Sequence, residues 1–252
     1  MSANNLAKIT LAGESNIGLT RQHNEDSFLV LAPPGGQGAL AMISDGIGGH
    51  SKGELASYIC CRELFRSAMA VESSSWDENF LRTALLRAND RIYNLNCLGR
   101  RIPPMGCTVV AAVFFSDHII VANAGDSRLY EYDREKTPAL TQLTTDHRPG
   151  AKELHRHRVR RSRSKNMVNL SIGTQKCVEP EIKTFPRSPG AKYLLCSDGL
   201  YSKLPDAFFA GMLGAEYTPR EMTGKMLREA LLAGERDNIT LICGAPEAEG
   251  IG

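Results

Sequence analysis

Short apolar runs of strand length dominate the patterning of this chain, at 8–12, 28–32, 39–44, 108–115, 118–122, 129–132, 193–196 and 239–243. Several, 108–115 above all, are apolar in both registers, which is the pattern of strands covered on both faces. Hairpin-length loops join the early runs and those between 107 and 132, whereas helical periodicity arrives in blocks. One helix is expected to start near Gly53. A second is expected over 77–96, where Leu81, Ala84, Leu85, Ala88, Ile92 and Leu95 share a face. A third begins near Thr218, with Pro219 at its first position and Glu221 placed to close a capping box. This order predicts an α+β fold, a central antiparallel β-sandwich or sheet flanked by helices, over a doubly wound parallel sheet. The 252 residues contain no Pro-, Gly- or Ser-rich linker between two cores, so a single domain spanning 1–252 is the simpler reading.

Acids sit where these runs end or begin. Asp45 closes 39–44 and precedes Gly46; Asp126 follows Gly125 after 119–124; Asp198 closes 193–197 and precedes Gly199. Glu25 and Asp26 stand just before 28–32, and Asp237 just before 239–243. In antiparallel neighbours the end of one strand lies beside the start of the next, so these acids can gather on one edge. An Asp beside Gly is by itself an ordinary turn signal. Five or six together shift the balance, because converging carboxylates repel one another unless cations neutralise them. Oxygen-only ligands select Mg²⁺ or Mn²⁺ over zinc or copper. The adjoining glycines would let an ion or a phosphate approach the backbone closely.

Composition narrows the setting. With 42% apolar and 23% charged residues the chain is neither disordered nor fibrous. No apolar run approaches the roughly 20 residues that span a bilayer, so no membrane span is expected. Seven cysteines, odd in number and without a Cys-x-x-Cys pair, argue against a disulfide framework and a cysteine zinc site. With an opening segment that lacks a secretory pattern, they lead to the expectation of a cytoplasmic protein.

The ordered motifs resemble a known family. Arg21, Asn24, Glu25, Asp26 and Ser27 form R-x-x-N-E-D-S; residues 45–50 read D-G-I-G-G-H, followed by Gly53, Glu54, Ala56 and Ser57. Then come Gly106-Cys107-Thr108, Gly125-Asp126-Ser127-Arg128, Thr145-Asp146-His147, Ser197-Asp198-Gly199-Leu200 and Asp237-Asn238. The set resembles the metal-dependent PPM (type 2C) serine/threonine phosphatases in their bacterial form, over a core of about residues 8–244. The resemblance implies a four-layer α-β-β-α sandwich and a centre of two Mn²⁺ or Mg²⁺ ions, with a possible third. It implies that Asp45 bridges the ions, that the Gly46 carbonyl ligates one, and that Asp198 and Asp237 hold the other. Glu25 would act through water, Asp126 would join Asp198 at the third ion, and Arg21 would bind phosphate. Asp26 and Asn238 would support the acid network from behind. The implied chemistry is attack of a metal-bridging hydroxide on the phosphorus of phosphoserine or phosphothreonine in proteins.

The implied partners are phosphoprotein substrates and a cognate Ser/Thr kinase; nucleic acid is not expected. One departure concerns the proton donor: Ile47 stands where eukaryotic members often carry His, leaving metal-bound water as an alternative donor. His50 reads as a structural loop histidine. The complete acid set argues against a catalytically inactive regulatory homologue. A phosphatase of small phosphate esters is the other rival, to be separated by comparing a phosphopeptide with a sugar phosphate. No G-x-x-x-x-G-K-[ST] loop occurs, which excludes a P-loop kinase.

Eight basic residues and one acid between 148 and 165 give a local +7 within a chain of net +2, leaving the rest at −5. This segment lies at the place of the family's flap, about 147–170, and three readings compete. A solvated loop ranks first, a docking surface for phosphoproteins second, and a nucleic-acid site last, for want of stacking aromatics. Under the docking reading, neutralising Arg158, Arg160, Arg161 and Arg163 together raises KM for an acidic phosphoprotein. It also flattens the salt dependence, since screening acts over about 8 Å at physiological ionic strength. Turnover of p-nitrophenyl phosphate stays unchanged. Steady-state kinetics across a salt series checks this, and equal losses on both substrates contradict it.

Overall fold

The computed structural model describes residues 9–47, 52–99, 104–147 and 170–247. The basic segment 148–165, His50 and the neighbouring Gly48 and Gly49 lie outside the described residues. In chain order come β1 (Ile9–Asn16), β2 (Asp26–Leu31), β3 (Ala39–Ile47), α1 (Gly53–Ala68) and α2 (Glu78–Leu98). There follow β4 (Gly106–Cys107), β5 (Val109–Phe114), β6 (His118–Ala124), β7 (Arg128–Tyr132) and β8 (Leu140–Gln142). The chain continues through β9 (Glu181–Pro186), β10 (Lys192–Cys196), α3 (Asp198–Tyr201), α4 (Asp206–Gly214), α5 (Pro219–Leu232) and β11 (Ile239–Pro246).

The strands form two antiparallel sheets, β1-β11-β10-β7-β8 and β2-β3-β5-β6-β9, with β4 paired to β3. Alternation along each strand explains the uninterrupted apolar runs. On β5, Val110, Ala112 and Phe114 point into the seam between the sheets, where Tyr193 and Leu195 of β10 meet them. Val109, Ala111 and Val113 face the other way, onto α1 and α2. The second sheet is covered likewise: Leu194, Cys196, Leu241 and Cys243 pack against Leu200, Phe209, Met222 and Met226 of α3, α4 and α5. Four layers result, helices outside and sheets inside, as the family resemblance implied.

The differences from the expectation have local causes. β8 and β9 escape the apolar pattern because both are edge strands; Lys183 and Thr184 of β9 are exposed. Asp198 does not merely end a strand: it opens the short helix α3, with Ser197 at the cap. Strands β6 and β7, three residues apart, are not hairpin partners. They belong to opposite sheets, so Gly125, Asp126 and Ser127 form a crossover between layers. Gly125 turns there with φ +120°, and a Cβ would stand 2.6 Å from that of Thr108.

Helix α2 starts as the sequence implies, with the Asp77 side chain accepting from the Phe80 N–H at 2.7 Å. At α5, Thr218 Oγ1 accepts from the Glu221 N–H and Glu221 Oε2 accepts from the Thr218 N–H at 2.8 Å, closing the predicted box. Thr218→Ala removes one arm of that box, which costs about 1 kcal/mol. Thermal unfolding of the variant should show Tm lowered by about 2–4 °C.

Candidate metal centre

The expected acids reach one end of the sandwich from both sheets. Asp26 at the start of β2 lies directly opposite Asp45 near the end of β3 in the strand register. Like charges so placed are destabilising. Asp198 and Asp237 come from the other sheet, at the end of β10 and the start of β11, and Asp126 comes from the crossover. Burial, followed by the fields of Asp26, Asp198, Asp126 and Asp237, holds the Asp45 carboxyl well above its usual range. Burial likewise pushes Asp26 up to about 6, against the lowering effect of hydrogen bonds that include Ser197. Ser197 Oγ donates to Asp26 Oδ2 at 2.8 Å, while Asp26 Oδ1 is buried without a hydrogen bond.

Arg21 lies across the mouth. Its Nη2 donates to Asp237 Oδ2 at 2.7 Å and its Nη1 stands 3.7 Å from Glu25 Oε2. Burial alone would lower its pKa, but Asp237, Glu25 and Asp45 raise it, so the guanidinium stays charged. Glu25 is raised by burial, offset in part by Arg21 and the Gly53 N–H.

Asn238 pins the loop that carries these two residues. Its Oδ1 accepts from the Glu25 N–H at 2.8 Å, and its Nδ2 donates to the carbonyls of Ile17 and His23. On the far side, Arg128 binds Asp146 through two nitrogens at 2.7 and 3.0 Å and stacks 3.7 Å above the Tyr201 ring. Tyr201 OH then donates to the Asp126 carbonyl at 3.0 Å. His147 Nδ1 accepts from the Gly125 N–H at 3.2 Å. Arg128, Asp146 and His147 stood in the sequence motifs without a role; together with Tyr201 they brace the Asp126 turn. Thr108 does the same for β3, its Oγ1 accepting from the Asp45 N–H at 3.1 Å and lying 2.7 Å from Ser127 Oγ.

The glycines beside the acids admit neighbouring backbone at close range. A Cβ on Gly199 would lie 2.0 Å from the Asn238 carbonyl oxygen, and one on Gly46 would lie 2.4 Å from the Gly53 backbone. That tightness draws Asp198 toward Asp237 and Asp45 toward Glu25.

Among the described residues no three Asp, Glu, His or Cys side chains close into a finished cage for an ion. Asp237 is turned to Arg21 and Asp26 to Ser197. The donors nevertheless fit hard divalent cations. They are all oxygens, their mutual repulsion is the kind that positive charge relieves, and Asp26 Oδ1 is buried without a hydrogen bond.

A sandwich with this acidic end places the chain in a recognised class: it belongs to the protein phosphatase 2C family, whose model matches residues 13–231. It is 29% identical over 235 residues to the serine/threonine phosphatase stp of Listeria monocytogenes, covering 89% of this chain and 91% of that protein. Among solved structures, Stp1 from Staphylococcus aureus superposes with a TM-score of 0.82 at 26% identity, covering 96% of each chain. The catalytic domain of the phosphatase PstP, solved in complex with two manganese ions, gives 0.75 at 26% identity, over 94% of this chain and 97% of that one.

Neutralising the central charge should stabilise the protein whenever cations are withheld. Because Asp45 and Asp26 have raised pKa values when folded, the native state holds more protons than the unfolded one. The favourable contribution of Asp26 is complete at acid pH and is lost as pH rises through about 6, and that of Asp45 is lost in the same sense as pH rises through its raised value. In EDTA at neutral pH, Asp45→Asn should therefore melt above the wild type, and the gap should narrow on acidification. Calorimetry at two pH values checks this; a variant that melts lower at neutral pH contradicts it.

Proposed function

We propose that this chain dephosphorylates phosphoserine and phosphothreonine in proteins, in the cytoplasm, reversing the action of a cognate Ser/Thr kinase, and that residues 1–252 act as one catalytic domain. Membership of the phosphatase 2C family makes it a metal-dependent protein serine/threonine phosphatase. The single observation that carries the site assignment is the convergence of Asp26, Asp126, Asp198 and Asp237 on Asp45, with Arg21 across the opening. All seven cysteines are free, which suits a reducing compartment. No helix among the described residues is long and apolar enough to cross a membrane.

In this reading Asp45, the Gly46 carbonyl, Asp198 and Asp237 hold two Mn²⁺ or Mg²⁺ ions, with Glu25 acting through water. Asp126 joins Asp198 in offering a third position. When bound, the ions supply Lewis acidity, activation of the attacking water and neutralisation of charge on the phosphoryl group. Arg21 binds and orients: its planar fork matches two phosphate oxygens, and its part-exposed guanidinium is already fixed beside Asp237. Asp26 and Asn238 act behind the centre, supporting Asp45 and Glu25 rather than binding the phosphate. The thiols are not needed; burial pushes those of Cys61, Cys196 and Cys243 up, and the contact with Cys107 followed by burial pushes that of Cys60 up, away from nucleophilic use.

Hydrolysis of p-nitrophenyl phosphate should require added Mn²⁺ or Mg²⁺ and stop in EDTA. Asp45→Asn or Asp237→Asn should cost at least about a hundredfold in rate. Arg21→Ala should instead raise KM and weaken inhibition by inorganic phosphate, while Mn²⁺ titration calorimetry still shows tight binding. Full activity in EDTA contradicts the function, and loss of tight Mn²⁺ binding in Arg21→Ala contradicts the role given to Arg21.

A further inference from the structure

A second concave surface adjoins the acid cluster. Ser15 of β1, Asn24 and Asp26, Phe28 of β2, and Tyr58, Arg62 and Phe65 of α1 line a groove of about 460 Å³. That volume lies within the usual range of ligand sites. Its walls are unusual for a surface helix. Tyr58, Arg62 and Phe65 recur at helical spacing on the outward face of α1, and both aromatic residues are exposed, at 54% and 41%. Phe28 also borders the groove from the edge of β2, at 39% exposure. Its ring lies over Gly13 of β1, where a Cβ would come within 2.7 Å of it. Two large aromatic side chains thus stand open to solvent along one wall of the cleft, while the opposite face of α1 packs into the core through Ala56, Ile59, Cys60 and Leu64. Clustered exposed apolar surface of this kind marks an interaction site.

Two further features say what occupies it. The groove is continuous with the candidate centre: Asn24 and Asp26 line it, and both stand beside Glu25 in the loop that Asn238 pins. A chain seated against the aromatic side chains therefore lies beside the segment that carries Glu25. The groove also carries one cation, Arg62, and among the described residues none of the ion pairs includes it, the nearby Glu63 being engaged by Arg66 and Arg91. Its charge is available to an incoming carboxylate.

We infer that this groove binds the substrate polypeptide on one flank of the phosphoresidue, taking an aromatic or aliphatic side chain against Tyr58 and Phe65 and an acidic side chain on Arg62. The inference rests on the phosphatase reading above and adds a specificity surface to it. An extended peptide advances about 3.3 Å per residue, so the two anchors fall within a few residues of each other on the substrate. The phosphate is held by one set of groups and the flanking sequence by another, so the groove affects KM for peptides without altering chemistry at phosphorus.

The test uses the full chain with Mn²⁺, p-nitrophenyl phosphate, and phosphothreonine peptides bearing a Phe and an Asp on the N-terminal flank, the C-terminal flank, or neither. The wild type should prefer one flanked peptide over the plain one. Tyr58→Ala should raise KM for that peptide about tenfold, the size of a modest aromatic anchor. Arg62→Glu should raise it about fivefold at low salt, with less effect at high salt. Both variants should turn over p-nitrophenyl phosphate and the plain peptide like the wild type, which also reports intact folding. Unchanged kinetics on all peptides, or equal losses on p-nitrophenyl phosphate, overturns the inference and leaves the phosphatase reading standing. Self-association abolished by the same substitutions, with peptide kinetics unchanged, overturns it in favour of a second copy of the chain. A wild type inactive on every substrate overturns both.

Discussion

Repulsion among carboxylates is the constraint around which this molecule is arranged. Asp26 and Asp45 face each other across neighbouring strands, and Asp126, Asp198 and Asp237 add their fields to the same point. No isolated segment would hold such a group together. The two-sheet core supplies the opposing force, since Val110, Ala112, Phe114, Tyr193 and Leu195 bury the seam from which the acids project. Hydrogen bonds then fix the orientation of each member: Ser197 for Asp26, Thr108 for Asp45, Asn238 for Glu25, Arg21 for Asp237.

Much of this was legible in the sequence because the physics is local. Runs such as 108–115 announced strands buried on both faces, and the Thr218–Glu221 box announced its helix. The positions of the acids at run ends were equally plain. Their convergence is legible only as a consequence of antiparallel neighbours, which accounts for part of it. Asp126 reaches the cluster through a crossover between sheets, not through a hairpin, and nothing in Gly125-Asp126-Ser127 distinguishes the two. Edge strands β8 and β9 were missed because an edge needs no continuous apolar run.

Tertiary partners explain the other gaps. Tyr201 gave no signal of its own, because its role depends on Arg128 lying over its ring and on the Asp126 carbonyl within reach of its hydroxyl. The glycines were read as room for an ion or phosphate. In the fold Gly46 and Gly199 are occupied by neighbouring backbone, a close approach that sequence spacing does not reveal. The exposed aromatic stripe on α1 is equally silent in the sequence, since Tyr58 and Phe65 read as ordinary helix residues until the fold leaves them open to solvent.

The split of the acids between two sheets ties the site to the interior. Asp26 and Asp45 ride on one sheet, Asp198 and Asp237 on the other, so the way the two sheets pack sets how closely the pairs approach. That packing is set by side chains such as Phe114 and Tyr193, whose rings meet 5.1 Å apart in the seam. Close-packed interiors transmit small changes of volume. A methyl group gained or lost in the seam therefore alters the gauge of the acidic end without touching any acid. In this architecture the core acts as a spacer, and substitutions that look like packing are also substitutions in affinity.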